Sequence, residues 1–206
     1  LNPRAEVEKL LAILRAHPQT PIPLTQRWCQ HLERHHVIVE QDSQFKTADL
    51  VSFLRYAQLR PVPRPCVQAF ERLTGCEKLH QILERRNEDQ WGIGDLLQLI
   101  AEETNYDLRR LWQAAPWEAE SLAGILLPNP YRLYSISSDA THKDGLSVNH
   151  LDLTIGGLEY NTQSEPLRPN QKVHGTASSF LLRDLTAQEK EFPVRIHRPT
   201  RFALPK

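Results

Sequence analysis

The sequence predicts an α+β chain in which a helical module, residues 1–127, precedes an antiparallel β module, residues 128–206. Three observations predict this. Apolar residues recur at helical spacing through the first part. The pattern breaks at Pro128-Asn129-Pro130, where two prolines oppose any continuing helix. Beyond that point come short runs with strand character: Tyr131 to Ser137, His150 to Tyr160 and Val194 to Phe202.

The helices follow in order. Asn2 reads as an N-cap with Pro3 at the first helical position, and Val7, Leu10, Leu11 and Leu14 form one stripe. His17-Pro18 closes this helix, and Pro21 and Pro23 hold an extended linker. A second helix is expected from Thr25 to His35. Thr47 reads as the cap of a third, with Leu50, Phe53, Leu54 and Ala57 on one face, broken by Pro61, Pro63 and Pro65. Further helices are expected over Cys66 to Leu73, Glu77 to Arg86 and Asp95 to Glu103, with Gly75 as a C-terminal stop. In the second half, a short helix is expected near Ser178 to Leu185, and the polar stretch Asn161 to Lys172 reads as a surface loop.

Composition narrows the function classes. Lys plus Arg number 25 and Asp plus Glu 25, so no basic excess selects nucleic acid as a partner. No apolar run reaches the roughly 20 residues of a membrane helix, and no secretory signal opens the sequence. Cys29, Cys66 and Cys76 form no CxxC pair and leave an odd count, which reads as free thiols in a reducing, cytoplasmic setting. The sequence holds no methionine, and its abrupt start and stop read as a section of a longer pattern.

Three motifs carry chemistry. In Arg132-Leu133-Tyr134-Ser135, an arginine and a tyrosine two apart on a strand share a face. The guanidinium can fork onto a pyrophosphate, while the phenol ring lies against a flat ring system. Ser135 falls on the opposite face, and a turn there would bring its hydroxyl to the ring edge, as the candidate catalytic residue. A plain strand with a surface arginine and a core tyrosine fits the same four residues. In Thr154-Ile155-Gly156-Gly157, two glycines weaken a strand and mark either a bulge or the close approach of a ligand. Gly175-Thr176-Ala177-Ser178 opens a helix whose unpaired amides suit an anion, although a hydroxyl-capped helix without a ligand has the same residues.

Taken in order, these three motifs resemble the FAD-binding domain of the NADPH-dependent diflavin reductases, and among them the sulfite reductase flavoprotein subunit. The run Ala177-Ser178-Ser179-Phe180-Leu181 is similar to that branch, and Tyr160 matches a further flavin-contacting tyrosine. The resemblance implies that residues 1–127 are the family's helical connecting domain and that residues 128–206 are part of an antiparallel β-barrel of the ferredoxin-reductase type. It implies FAD held by Arg132, Leu133, Tyr134, Ser135, Thr154, Ile155, Gly156, Tyr160, Gly175, Thr176, Ala177 and Ser178. In the family, NADPH reduces FAD and electrons pass to FMN, so the implied partners are an FMN-binding flavodoxin-like domain and a haem sulfite reductase subunit.

The sequence departs from the family pattern at both ends. The early barrel strands with their P-G-D segment, the G-x-G-T-G-x-A-P nucleotide loop and an FMN domain are not among these residues, so the 206 residues by themselves are expected not to oxidise NADPH. A rival reading from another class is a non-catalytic interaction module derived from a flavin domain. His31, His35 and His36 have a spacing that could serve a metal, but they read as a solvated helix face, as do Asp95, Glu102 and Glu103.

Overall fold

The computed structural model describes residues 1–41, 44–130, 155–156, 159–162, 171–174 and 181. Helix α1, Arg4–Leu14, buries the predicted stripe of Val7, Leu10, Leu11 and Leu14. Strand β1, Pro21–Pro23, is followed by α2, Gln26–Arg34, which turns Trp28, Cys29 and Leu32 inward. Strands β2, Glu40–Gln41, and β3, Lys46–Asp49, lead into α3, Leu50–Tyr56. Helices α4, Arg64–Thr74, α5, Glu77–Arg85, and α6, Ile93–Glu103, come next, then the short α7, Arg109–Gln113, and α8, Leu122–Ile125. Their apolar faces meet in one continuous core around Trp28, Phe53, Phe70, Leu79 and Ile100. Among the described residues, no helix is long and apolar enough to cross a membrane.

The α+β class is as expected, but the first 127 residues are not purely helical. A three-stranded antiparallel sheet in the order β1-β3-β2 sits among the helices. The segment read as an extended linker is β1, whose Ile22 is buried and paired with Ala48. Its prolines are tolerated because β1 is an edge strand, where a missing N–H costs least. Thr47 is therefore not a helix cap. It is a buried residue of β3, paired with both Pro23 and Glu40, and Asp49 takes the cap position of α3.

Other local expectations also change. Pro3, not Asn2, holds the cap position of α1. The buried Asn2 side chain instead donates to the carbonyls of Leu54, at 2.7 Å, and Ala57, at 2.6 Å, tying the start of the chain to the end of α3. Carbonyls at an α-helix C-terminus are short of backbone donors; Leu54 has only the long 3.4 Å bond from the Ala57 amide there, and the Asn2 side chain adds a donor to both. Pro65 does not break a helix; it lies in the first turn of α4, where its missing N–H costs nothing. Gly75 ends α4 as expected, with φ of 62°, a left-handed conformation that favours glycine. All three cysteines are free and buried.

Asp95 is a clear correction. It sits in the first turn of α6, buried, and not on a solvated face. Its Oδ2 accepts from the Gly92 amide at 3.1 Å and from Arg60 Nη2 at 2.6 Å, while Lys9 lies 3.6 Å from Oδ1. Glu6 completes the group, 3.9 Å from Arg60. A carboxylate can be buried at this point because a guanidinium and a helix-start amide both meet it. Glu102 and Glu103 do lie at the surface, Glu102 accepting from Gln98 and Glu103 pairing with Lys78.

In the second half, β4, Glu159–Thr162, pairs antiparallel with β5, Gln171–His174. Asn161, Thr162, Gln171 and Lys172 thus belong to strands, so the expected surface loop is shorter at both ends. Within the expected strand over 150–160, Glu159 and Tyr160 belong to β4 while Ile155 and Gly156 lie outside any strand, consistent with the weakening effect of paired glycines; the remaining positions lie outside the described residues. The expected strands over 131–137 and 194–202 lie outside the described residues, as does the helix near 178–185 apart from Leu181.

Candidate functional site

The sequence places its flavin site in the β module. Arg132, Leu133, Tyr134, Ser135, Thr154, Gly175, Thr176, Ala177 and Ser178 lie outside the described residues. Ile155 is half-buried and Gly156 exposed. Among the described residues, no atom lies within 4 Å of where a Cβ on Gly156 would stand. None of the described residues therefore requires glycine there by packing.

Tyr160 lies on β4, opposite Val173 of β5, and Glu159 lies opposite His174. The backbone entering β4 and the backbone leaving β5 are thus at one end of the ribbon. Gly156 is three residues before Glu159, and Gly175 is one peptide bond after His174. The register brings the backbone near the second and third motifs to one end of the ribbon.

A concavity unforeseen from sequence lies in the helical module. It has a volume of about 300 Å³. One wall is α2, which contributes Arg27, Gln30, His31 and Arg34. These positions share a helix face, being spaced three, four and seven apart. The facing wall is Gln58 and the segment Leu127 to Pro130. The Gln58 amide donates to the Leu127 carbonyl and the Asn129 amide to the Tyr56 carbonyl, both at 2.7 Å. Trp28 Nε1 donates to the Leu126 carbonyl at 3.1 Å, fixing α2 against that wall. The groove is thus pinned along both sides.

The histidines on this helix are not a solvated face. The His31 and His35 rings lie 4.8 Å apart, and His35 lies 4.8 Å from the Tyr56 ring. His36 has left the helix with φ of 56°. Among the described residues, no cluster of three His, Cys, Asp or Glu side chains could hold a metal. Burial, then the neighbouring His35, Arg34 and Arg27 charges, push the His31 imidazole down to about 4. Burial also lowers His35.

These shifts predict acid sensitivity. Unfolded His31 takes its proton near pH 6.5, the folded residue only near 4, so between these values the unfolded chain holds more protons. The contribution of this group is complete above about pH 6.5 and is lost as the pH falls towards 4. Thermal unfolding across pH 7 to 4 should show Tm falling on acidification, with a shallower fall in His31→Phe. An equal slope in the variant would remove His31 from the explanation.

Sequence reasoning on this helix rests on its histidines and passes over Arg27 and Arg34. The readable signal was the stripe itself: two arginines seven apart with no acidic residue at the intervening positions of that face. No protein-family model matches the chain, and no curated protein matches it.

Proposed function

We propose that this chain is the FAD-binding part of an NADPH-dependent flavoprotein reductase of the sulfite reductase kind, its β module belonging to a ferredoxin-reductase-type barrel. The reading is carried by the order of three motifs, Arg132 to Ser135, Thr154 to Gly156 and Gly175 to Ser178. It is supported by the β4–β5 register, which brings the backbone near the second and third motifs to one end of a ribbon.

Arg132 holds the pyrophosphate together with the amides of the Gly175 to Ser178 segment, since a guanidinium fork and unpaired helix-start amides both bind oxyanions. Tyr134 covers the flavin ring, and Tyr160 adds a second aromatic contact. Ser135 donates to or accepts from the ring edge and is the candidate catalytic residue. When bound, FAD supplies the hydride-accepting and one-electron chemistry, while the protein orients it and tunes it by hydrogen bonding. NADPH, FMN, a flavodoxin-like partner and a haem acceptor subunit belong to the complete electron path, and a cytoplasmic location fits it.

Fluorescence titration tests this assignment. FAD added to the chain should bind saturably and lose emission, because a stacked phenol quenches the excited ring. Tyr134→Ala should bind more loosely, by the 0.5–1.5 kcal/mol or so that aromatic stacking adds, and its bound flavin should be brighter. Unchanged affinity and emission in Tyr134→Ala would exclude the stack.

A further inference from the structure

We propose that the groove between α2 and the Leu127 to Pro130 segment binds the diphosphate group of an anionic ligand. This inference does not rest on the flavin reading. The first ground is charge. None of the nine described residues lining the groove is acidic, and two are arginines. Among the described residues, neither Arg27 nor Arg34 has an ion pair with a carboxylate, whereas Lys46, Arg60, Arg64, Lys78, Arg109 and Arg110 each do. The one acidic residue of α2, Glu33, pairs with Lys46. Among the described residues, two arginines and no carboxylate therefore line this depression, a setting that attracts an anion.

The second ground is shape. Seven residues of helix separate the Cα atoms of Arg27 and Arg34 by about 10 Å. Two long side chains at that spacing can close from either side on a group with two anionic centres, each guanidinium forking onto its own phosphate. A single phosphate would engage only one of them fully. The amide side chains of Gln30, Gln58 and Asn129 add neutral donors between the two charges. The walls are pinned by the Trp28, Gln58 and Asn129 hydrogen bonds, so little ordering is required on binding.

The third ground is His31, on the groove wall between the two arginines. Among the described residues, the charged or titratable groups facing it include Arg27 and Arg34 on its own helix, His35 one turn along, and Tyr56 from α3. The arginines and His35 disfavour its proton. A dianion between the arginines would reverse that field and raise its protonation midpoint.

The experiment is calorimetric titration of the 206-residue chain with inorganic pyrophosphate, paired with an NMR pH titration of the His31 ring. Saturable binding is expected, tighter than for inorganic phosphate, with the His31 midpoint raised by one unit or more. Arg27→Gln with Arg34→Gln should weaken binding at least tenfold, while its thermal unfolding matches the parent because both side chains are exposed. The His31 ring lies on the groove wall, so its response reads occupancy of this groove and separates it from pyrophosphate bound at the flavin motif. Equal affinity in the double variant, or an unmoved His31 midpoint at saturating pyrophosphate, would overturn the proposal.

Discussion

Arg132→Ala should weaken FAD binding at least tenfold. Arginine keeps its charge at all working pH values, and its planar fork matches two phosphate oxygens at once. Hydrogen bonds to charged groups contribute about 1.5–3 kcal/mol each, and a tenfold change in affinity corresponds to about 1.4 kcal/mol. Losing one such bond therefore suffices for the expected effect. Arg132→Lys keeps the charge but not the fork, so it should fall between the parent and alanine. Equilibrium titration of apoprotein reads all three, and equal affinities would remove Arg132 from the pyrophosphate site.

Asp95→Ala should cost the fold about 3–5 kcal/mol, the cost of breaking a buried ion pair by removing one partner. Arg60 is largely buried, its side chain 14 % exposed, and Asp95 is its near partner at 2.6 Å. Without that carboxylate, the guanidinium keeps Glu6 at 3.9 Å and the Gln90 carbonyl at 3.4 Å, and the Gly92 amide loses its acceptor. Glu6 itself should change. Burial holds its carboxyl above the usual range, Arg60 pulls it down and Asp95 pushes it up, so removing Asp95 leaves Glu6 more acidic. Replacing both partners, Arg60→Met with Asp95→Leu, should recover most of the loss, because two apolar groups strand no charge. Urea unfolding of the parent and both variants decides this. A loss under 1 kcal/mol in Asp95→Ala would mean that solvent reaches Arg60.

The helical part was legible wherever a stripe was long enough to repeat. The α1 stripe and the α4 stop at Gly75 follow from spacing and from the left-handed preference of glycine. The three-stranded sheet was not legible. Its strands have three, two and four residues, too few for an alternating pattern, and two of those residues are prolines that signal a linker when read locally. Asp95 was misread because a carboxylate on a helix is ordinarily exposed, while the partner that buries it, Arg60, is 35 residues away in sequence. Asn2 was misread for a similar reason: its acceptors are the carbonyls of Leu54 and Ala57.

The groove has the same character on one side and not on the other. Its Arg27-Gln30-His31-Arg34 wall is a periodic stripe and could have been found. Its Leu127 to Pro130 wall is nearly a hundred residues further along, joined by the Trp28 to Leu126 contact, and only folding brings it there. The flavin motifs are the reverse case. They are short and local, and they are legible as a resemblance carried by residue types at fixed order.

The most direct measurement is flavin retention. The chain is incubated with excess FAD, passed through a desalting column, and its visible spectrum is recorded beside its protein absorbance. The account predicts a yellow protein carrying close to one FAD per chain. A colourless protein that retains no FAD, while its unfolding curve shows it folded, would contradict the account.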